Sequence, residues 1–455
     1  AANDVGAGTS TISITAAANE VKITIDASAD VEATGSVTLV ADKMDLDGTI
    51  NLGATSPALV ILRPETVNDA DAVDLGSATD AVADTLELSD AELDNITATT
   101  LRIGSTATGA ITVSSAMTPA SITDLALLSA AGVTDGGTGT ITVTGLRIDV
   151  DTAVSLNEAN IITTLAANVA DGSNAFTFKD NDTLIIGTVD GTSGVTTSAS
   201  NITITLNGGT LTQDPDAEFT GSGLELSVSG AVTLNAANDI DTLAADVTSA
   251  NQALEFTDAD GFSVGSVGSR DGVSTTDGAI TLTATTGNIT VLNTAAANDV
   301  DSGSSTIAMT AAANEGIITI SSGADVEATG GVTLTADKMA LSGTINLGSA
   351  GATTVTLQPE TANDADAIDL GPNGGTGNTL ELSDAELDNV TATTLRVGSD
   401  SSGAITISEA LTPANITNLS LLSAAGLSQG AGFTITVSGL RIDVDTAVTL
   451  NEANV

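Results

Sequence analysis

The sequence predicts an all-β chain wound as a parallel β-helix, a β-solenoid in one continuous rod with small loop or helical-turn excursions. Three observations predict it. First, the chain repeats itself: Leu86–Asn95 recurs letter for letter as Leu380–Asn389, and Leu146–Val154 as Leu440–Val448, about 294 residues further on. Second, a fainter repeat of about 78 residues lies between those copies, with Ala153–Asn160 resembling Ala231–Asn238 and Phe178 matching Phe256. Third, short apolar–polar–apolar triplets recur throughout, among them Ile12-Ser13-Ile14, Val37-Thr38-Leu39, Ile111-Thr112-Val113 and Ile289-Thr290-Val291. Nested repeats of short strands suit an array in which each unit buries its apolar edge against the next. The organisation is therefore residues 1–160 as repeat copy A, 161–295 as connecting coils, and 296–455 as repeat copy B. Coils of roughly 20 to 26 residues fit the nested period.

The triplets justify the strands. Alternation with period two puts aliphatics on one face and Thr, Ser or Glu on the other. Val, Ile and Thr favour this through their branched β-carbons. Gly, Asn, Asp and Ser between triplets supply the corners. Substitutions between copies A and B point the same way. Ile96 becomes Val390, Ile103 becomes Val397 and Val113 becomes Ile407, volume-conserving swaps of a packed interior. Lys22 to Gly316, Arg63 to Gln358, Asp45 to Ala340 and Asp47 to Ser342 read as free surface.

Two segments break the strand rhythm. Ser89-Asp90-Ala91-Glu92 is a capping box with Leu88 and Leu93 placed as a staple, able to form one helical turn, and it recurs at Ser383–Glu386. Thr118-Pro119-Ala120 and its copy Thr412-Pro413-Ala414 put Pro at a candidate first helical position. Both read as corners or loops rather than docking features. Asn3, Asn19, Asn298 and Asn314, in recurrent AANDV and AAANE phrases, are candidates for an internal amide ladder.

Composition narrows function. Apolar residues make up 41% of the 455, which argues against a disordered acidic tail despite a net charge of -48. With 58 acidic and 10 basic residues, nucleic acid and anionic membrane surfaces are poor partners. The balance fits solubility, a saline setting or hard cations such as calcium. No segment approaches the roughly 20 apolar residues of a membrane helix. Without Cys or His there is no disulfide, no thiolate chemistry and no imidazole triad or metal site. Carboxylate pairs remain, but sugar subsites usually need aromatic platforms, and the chain has no Trp or Tyr. Arg102/Arg396 and Arg147/Arg441 occur in both copies, and an enzyme site duplicated along an array is an unusual arrangement. The expectation is a chain that is not an enzyme.

Calcium is the sharper site hypothesis. Asn68-Asp69-Ala70-Asp71-Ala72-Val73-Asp74 recurs as Asn363-Asp364-Ala365-Asp366-Ala367-Ile368-Asp369. Alternating Asp can set hard oxygens on one side of a loop, so Asp69, Asp71, Asp74, Asp364, Asp366 and Asp369 are the candidate ligands. The loop lacks the glycine and terminal Glu of an EF-hand. Asp149/Asp151, Asp443/Asp445, Asp180/Asp182 and Asp258/Asp260 are further acid pairs, each equally readable as a solvated strand face or turn cap.

The phrase Leu86–Gly104 (LELSDAELDNITATTLRIG), the repeated G-x-I-T-V units and the LNAAND…TLAA runs resemble repeats of filamentous-haemagglutinin-like bacterial surface proteins. That resemblance implies a right-handed parallel β-helix, secretion, and an attachment or surface-fibre role, with no active site to carry over. The expected function is a non-enzymatic structural region of a secreted surface fibre or adhesin stalk. The alternative is an acidic, calcium-dependent surface-layer or end-to-end filament subunit. Expected partners are further copies of the same array, through stacking of strand edges end to end, and a host or neighbouring-cell surface.

Overall fold

The computed structural model describes residues 5–52, 58–66, 70–77, 79–171, 174–347, 353–360, 366–371, 377 and 379–455. Two compact units are formed by Ala1–Ser222 and Gly223–Val455. Each is a parallel β-solenoid, and between them they hold about 18 turns. Among the described residues no helix is long and apolar enough to cross a membrane.

In the first unit the period-two pattern becomes columns of buried side chains. Strands Ser36–Val40, Leu59–Arg63, Ile96–Gly104, Ile122–Ser129, Thr142–Val150 and Val154–Val169 pair in parallel, edge to edge. Their register aligns Val37, Val60, Leu101, Leu125, Leu146 and Leu165 in one column. Leu39, Leu62, Ile103, Leu127, Ile148 and Ala167 form a second. All twelve are buried. A fully buried Val, Leu or Ile contributes about 1.5–3 kcal/mol, and every rung supplies two to these columns except the last, where Ala167 takes the second place. Neighbours in a column lie 19 to 24 residues apart except where the chain makes an excursion, close to the spacing expected for solenoid coils.

The longest excursion separates Leu62 from Ile103. It carries strand Thr85–Leu88, which pairs with Ala72–Leu75, whose other edge pairs with Ile111–Val113. The predicted capping box follows. Asp90–Leu93 is a single helical turn, with the Ser89 side chain accepting from Glu92 N–H and Glu92 accepting from Ser89 N–H. The staple residues Leu88 and Leu93 are both buried. Glu92 also accepts from Leu46 N–H at 3.2 Å, and the Asn95 amide donates to Leu46 O at 2.7 Å. The turn is therefore tied to a strand end. Glu386 and Asn389 tie the second copy to Leu341 in the same way.

Pro119 does not begin a helix. The N–H groups on either side of it, of Thr118 and Ala120, donate to Asp90 and Asp94, so the chain passes as a turn and the one residue without an N–H sits between. Gly104 closes strand Ile96–Gly104 at φ +84°, where a Cβ would also collide with Leu128 O; Gly398 repeats both features against Leu422.

The second unit follows the same rules. Phe256, Leu282, Met309, Leu334, Leu357, Val397 and Leu421 form one buried column. Leu395, Leu419 and Leu440 hold the register of Leu101, Leu125 and Leu146. The phenylalanines between the two copies are core residues of both units: Phe176, Phe178 and Phe219 of the first and Phe256 of the second are fully buried. Phe256 meets Phe262 edge to face at 5.1 Å.

Candidate functional site

Asp69 and Asp364 lie outside the described residues. Asp71 is 1% exposed and shares the inward side of the chain with Val73 and Leu75, whereas Asp74 lies on the outward face. Asp71 and Asp74 are thus on opposite faces. Asp74 is aligned instead with Glu87 on one neighbouring strand and Thr112 on the other. Asp366 and Asp369 repeat the arrangement, with Asp369 beside Glu381 and Thr406. Burial pushes the Glu87 carboxyl up, but hydrogen bonds from Ser77, Val82 N–H and Thr79 outweigh it and hold it below its ordinary value. Among the described residues no group of three or more acidic side chains is placed to hold a metal ion.

Internal carboxylates and amides do sit elsewhere, as fasteners between rungs. Asp42, buried, accepts from Glu20 N–H at 2.8 Å and Glu65 N–H at 2.9 Å, spanning the rungs on both sides. Asp337 does the same for Glu315 and Glu360. Asn160 and Asn238 are fully buried where the long strands Val154–Val169 and Val232–Val247 bulge around a corner. Asn160 accepts from Ile141 N–H and donates to Lys179 O. Stacked on these amides are Asp180 and Asp258, also fully buried. Each accepts backbone N–H groups, yet desolvation dominates and raises its carboxyl to about 6.

The internal amide role thus belongs to Asn160 and Asn238; Asn454, half-buried, holds the equivalent place in copy B and accepts from Ile435 N–H. It does not belong to the predicted set. Asn19 and Asn314 are exposed, Asn298 donates to the nearby Asp301, and Asn3 lies outside the described residues. The usable signal was the repeat itself, since Asn160, Asn238 and Asn454 end three matching LNxAN phrases.

The most concentrated charge chemistry of the first unit is an arginine pair closed by a hairpin. Arg102, Ala126 and Arg147 occupy successive rungs of one outward column. The hairpin of strands Thr188–Val189 and Thr192–Ser193 lies against strands Thr142–Val150 and Val154–Val169 and buries Val189. Its two-residue loop is Asp190-Gly191, both at positive φ, as a type I′ turn requires. Asp190 accepts from Arg102 Nε and Nη2 at 2.7 and 2.8 Å and from Arg147 Nη1 at 3.1 Å. Arg147 Nη1 also reaches Asp190 O at 3.1 Å, and Nη2 holds Asp149 at 2.6 Å.

The geometry depends on Ala126. A methyl group between two arginines leaves room for a carboxylate to sit between both forks. Burial alone would raise the Asp190 carboxyl, but the Arg102 hydrogen bonds and the charges of both arginines hold it below its ordinary value. Nearby Asp124 goes the other way, raised first by burial and then by the Asp190 charge. Gly145 makes space for Asp124, since a Cβ there would collide with Asp124 Oδ1.

Two positions read as free surface are instead a matched loss. Lys22 pairs with Asp45 at 3.1 Å and Asp80 at 3.3 Å, and copy B replaces both Lys22 and Asp45, by Gly316 and Ala340. Comparison of the chain with family models, with curated proteins and with solved structures gave no match.

Proposed function

We propose that this chain is a non-enzymatic structural region of a secreted bacterial surface fibre or adhesin stalk, of the filamentous-haemagglutinin-like kind its repeats resemble. The observation that supports this is the identity of register in the two copies. Leu101, Leu125 and Leu146 stack as Leu395, Leu419 and Leu440 do, and the helical turn is tied back through the same Glu and Asn in both. A unit whose inter-rung register is the same at each recurrence can be added repeatedly, which is what building length demands. The outward columns carry mostly Thr, Ser and Asp, and the net charge of -48 keeps neighbouring fibres apart.

A calcium-dependent lattice is the competing reading. It is supported by acids on adjacent rungs in both copies, Asp74 beside Glu87 and Asp369 beside Glu381. Cryo-electron microscopy of native cell-surface material, with and without a calcium chelator, separates the two. Separate fibres indifferent to chelation are the expected result. A sheet that dissolves on chelation would overturn the stalk reading and make Asp74, Glu87, Asp369 and Glu381 the first residues to replace. Absence of the protein from surface material would overturn both.

A further inference from the structure

We propose that one outward face of the second unit binds ice. The face is built by four consecutive strands, Ile280–Ala284, Thr306–Ala311, Gly331–Thr335 and Thr354–Gln358, paired in parallel with no shift of register. Thr283, Thr310 and Thr335 follow one another in one outward column, and Gln358 ends it by donating to the Thr335 hydroxyl at 3.1 Å. Thr281, Ala308, Thr333 and Thr356 make the column beside it. No position of either column is charged, in a chain whose net charge is -48. Charge returns at both edges, where Glu255 is aligned with Thr281 and Arg396 with Thr356. The face is therefore interior to the array, with a solenoid strand on each side of it.

Four details point to ordered water as the partner. Rungs stand about 4.8 Å apart and outward neighbours within a strand about 6.6 Å apart, both close to the oxygen repeats on a prism face of ice. Thr is stiff at χ1, so each hydroxyl and methyl keeps a fixed place in that grid. The hydroxyls of Thr281, Thr283, Thr310, Thr333 and Thr356 have no hydrogen-bond partner among the described residues, which leaves them to water. Water held by such groups is bound nearly as well as by a direct contact, here in files already spaced as a lattice. The two copies supply the fourth detail. Inward, Val37, Leu39, Val60 and Leu62 are kept unchanged as Val332, Leu334, Val355 and Leu357. Outward, Val40, Ile61 and Arg63 become Thr335, Thr356 and Gln358. The core is satisfied by either set, so folding does not account for the gain of hydroxyls on one copy's face.

Other occupants fit less well. An ionic partner finds no countercharge between Glu255 and Arg396. A sugar surface finds no aromatic ring to stack on. Four such strands present roughly 300 Å², well short of the about 800 Å² per partner that a stable contact with a second copy buries. Adsorption to ice needs less, because the chain has only to stay until the advancing solid grows around it. The proposal stands whether or not the protein is a surface stalk.

The test freezes buffer slowly on a cold probe with the intact 455-residue chain and, as reference, an inert acidic protein. The chain should be enriched in the ice at least about fivefold over the reference, a comparison that does not depend on how any variant folds. Thr333→Arg sets a bulky charge in the middle of the grid and should abolish the enrichment, with circular dichroism and melting temperature confirming the fold. Thr38→Arg, the same change at the matching position of copy A, should leave the enrichment intact. A chain rejected by ice as fully as the reference, or equal effects of the two changes, would overturn the proposal. So would retention on an insoluble neutral glycan, or a dimer in ultracentrifugation, that Thr333→Arg abolishes while the fraction in ice stays the same.

Discussion

Two hairpins occupy equivalent places in the 78-residue repeat, one in each unit, and their charges run in opposite directions. In the first, the turn brings the acid, Asp190, and the sheet supplies Arg102 and Arg147. In the second, strands Ser266–Val267 and Arg270–Asp271 flank a Gly268-Ser269 turn, and the sheet supplies the acids. Glu225, at the repeat position of Arg147, accepts from Ser269 N–H and Oγ, while Arg270 reaches Asp246 at 3.0 Å. Backbone chemistry changes with the side chains. Asp190-Gly191 has both residues at positive φ, whereas in the second turn only Gly268 does, and a Cβ there would collide with Glu225. What stays constant is the apolar anchor: Val189 and Val267 are each 2% exposed. The fold fixes where the hairpin lies, and the polar contact is free to exchange provided both partners change together.

The largest expected effect comes from exchanging one partner alone. Arg147→Glu places a carboxylate against Asp190 and removes two of its hydrogen bonds; we expect the first unit to lose about 3 kcal/mol in denaturant unfolding. Adding Asp190→Gly and Gly191→Ser recreates the Glu225–Ser269 arrangement and should restore at least half. A triple variant no better than the single one would break the comparison.

Proton linkage sharpens the contrast between carboxylates that are paired with arginine and those that are not. Asp180 and Asp258 are raised to about 6 in the folded protein, above the ordinary carboxylate value, by burial. The native state then holds protons that the unfolded state has released. Their stabilising contribution is full below about pH 4 and is lost as pH rises through about 6, roughly 2–3 kcal/mol for each group. Asp190, held below its ordinary value, has the opposite sign: its contribution is present at neutral pH and fades in acid. Melting temperature measured from pH 4 to 7 should therefore fall less steeply in Asp180→Asn and Asp258→Asn than in the parent. Asp190→Asn should lower stability most at pH 7. Parallel curves for all variants would refute the assignment.

A smaller effect is expected at the helical turns, which both copies retain. Ser89→Ala removes the cap of Asp90–Leu93 and one contact orienting Glu92 toward Leu46, and should cost about 1 kcal/mol. Ser383→Ala should match it, because the second turn has the same capping box and the same tie to Leu341. Hydrogen exchange at the Glu92 and Glu386 amides reads both; protection lost in one and not the other would separate the copies.

Strands, columns and helical turns were legible in the sequence because their physics is local. Alternation sets the inward face, and a capping box needs only Ser89, Glu92 and the leucines around them. The clamp was not legible. Arg102 and Arg147 were seen as a recurring pair, but that Ala126 lies between them follows from register, and coil length is not constant enough to give register from spacing. Asp190-Gly191 is a dipeptide suited to a hairpin turn, yet nothing local says that it folds back over a sheet face. Asp71 and Asp74 failed to come together for the converse reason: a spacing of three puts them on opposite faces once the segment is extended. Asn160 was recognised as a repeated letter and not as a buried corner, because the bulge that turns it inward is a tertiary feature.

The smallest prediction tests whether exchange in pairs needs strong coupling. Copy B has lost Lys22 and Asp45 together, as Gly316 and Ala340, which resembles the correlated swap at the hairpins. The Lys22 and Asp45 side chains are 40% and 36% exposed, so water and salt screen their attraction. A double-mutant cycle of Lys22→Ala and Asp45→Ala should give a coupling of at most about 0.5 kcal/mol, vanishing in high salt. The same cycle on Arg147 and Asp190, both mostly covered, should give several times more. Equal couplings would mean that burial does not set the strength of these pairs. The expected gap means that the array sheds exposed pairs at little cost, whereas a covered pair persists or is replaced by another matched pair, as Glu225 and Ser269 replace Arg147 and Asp190.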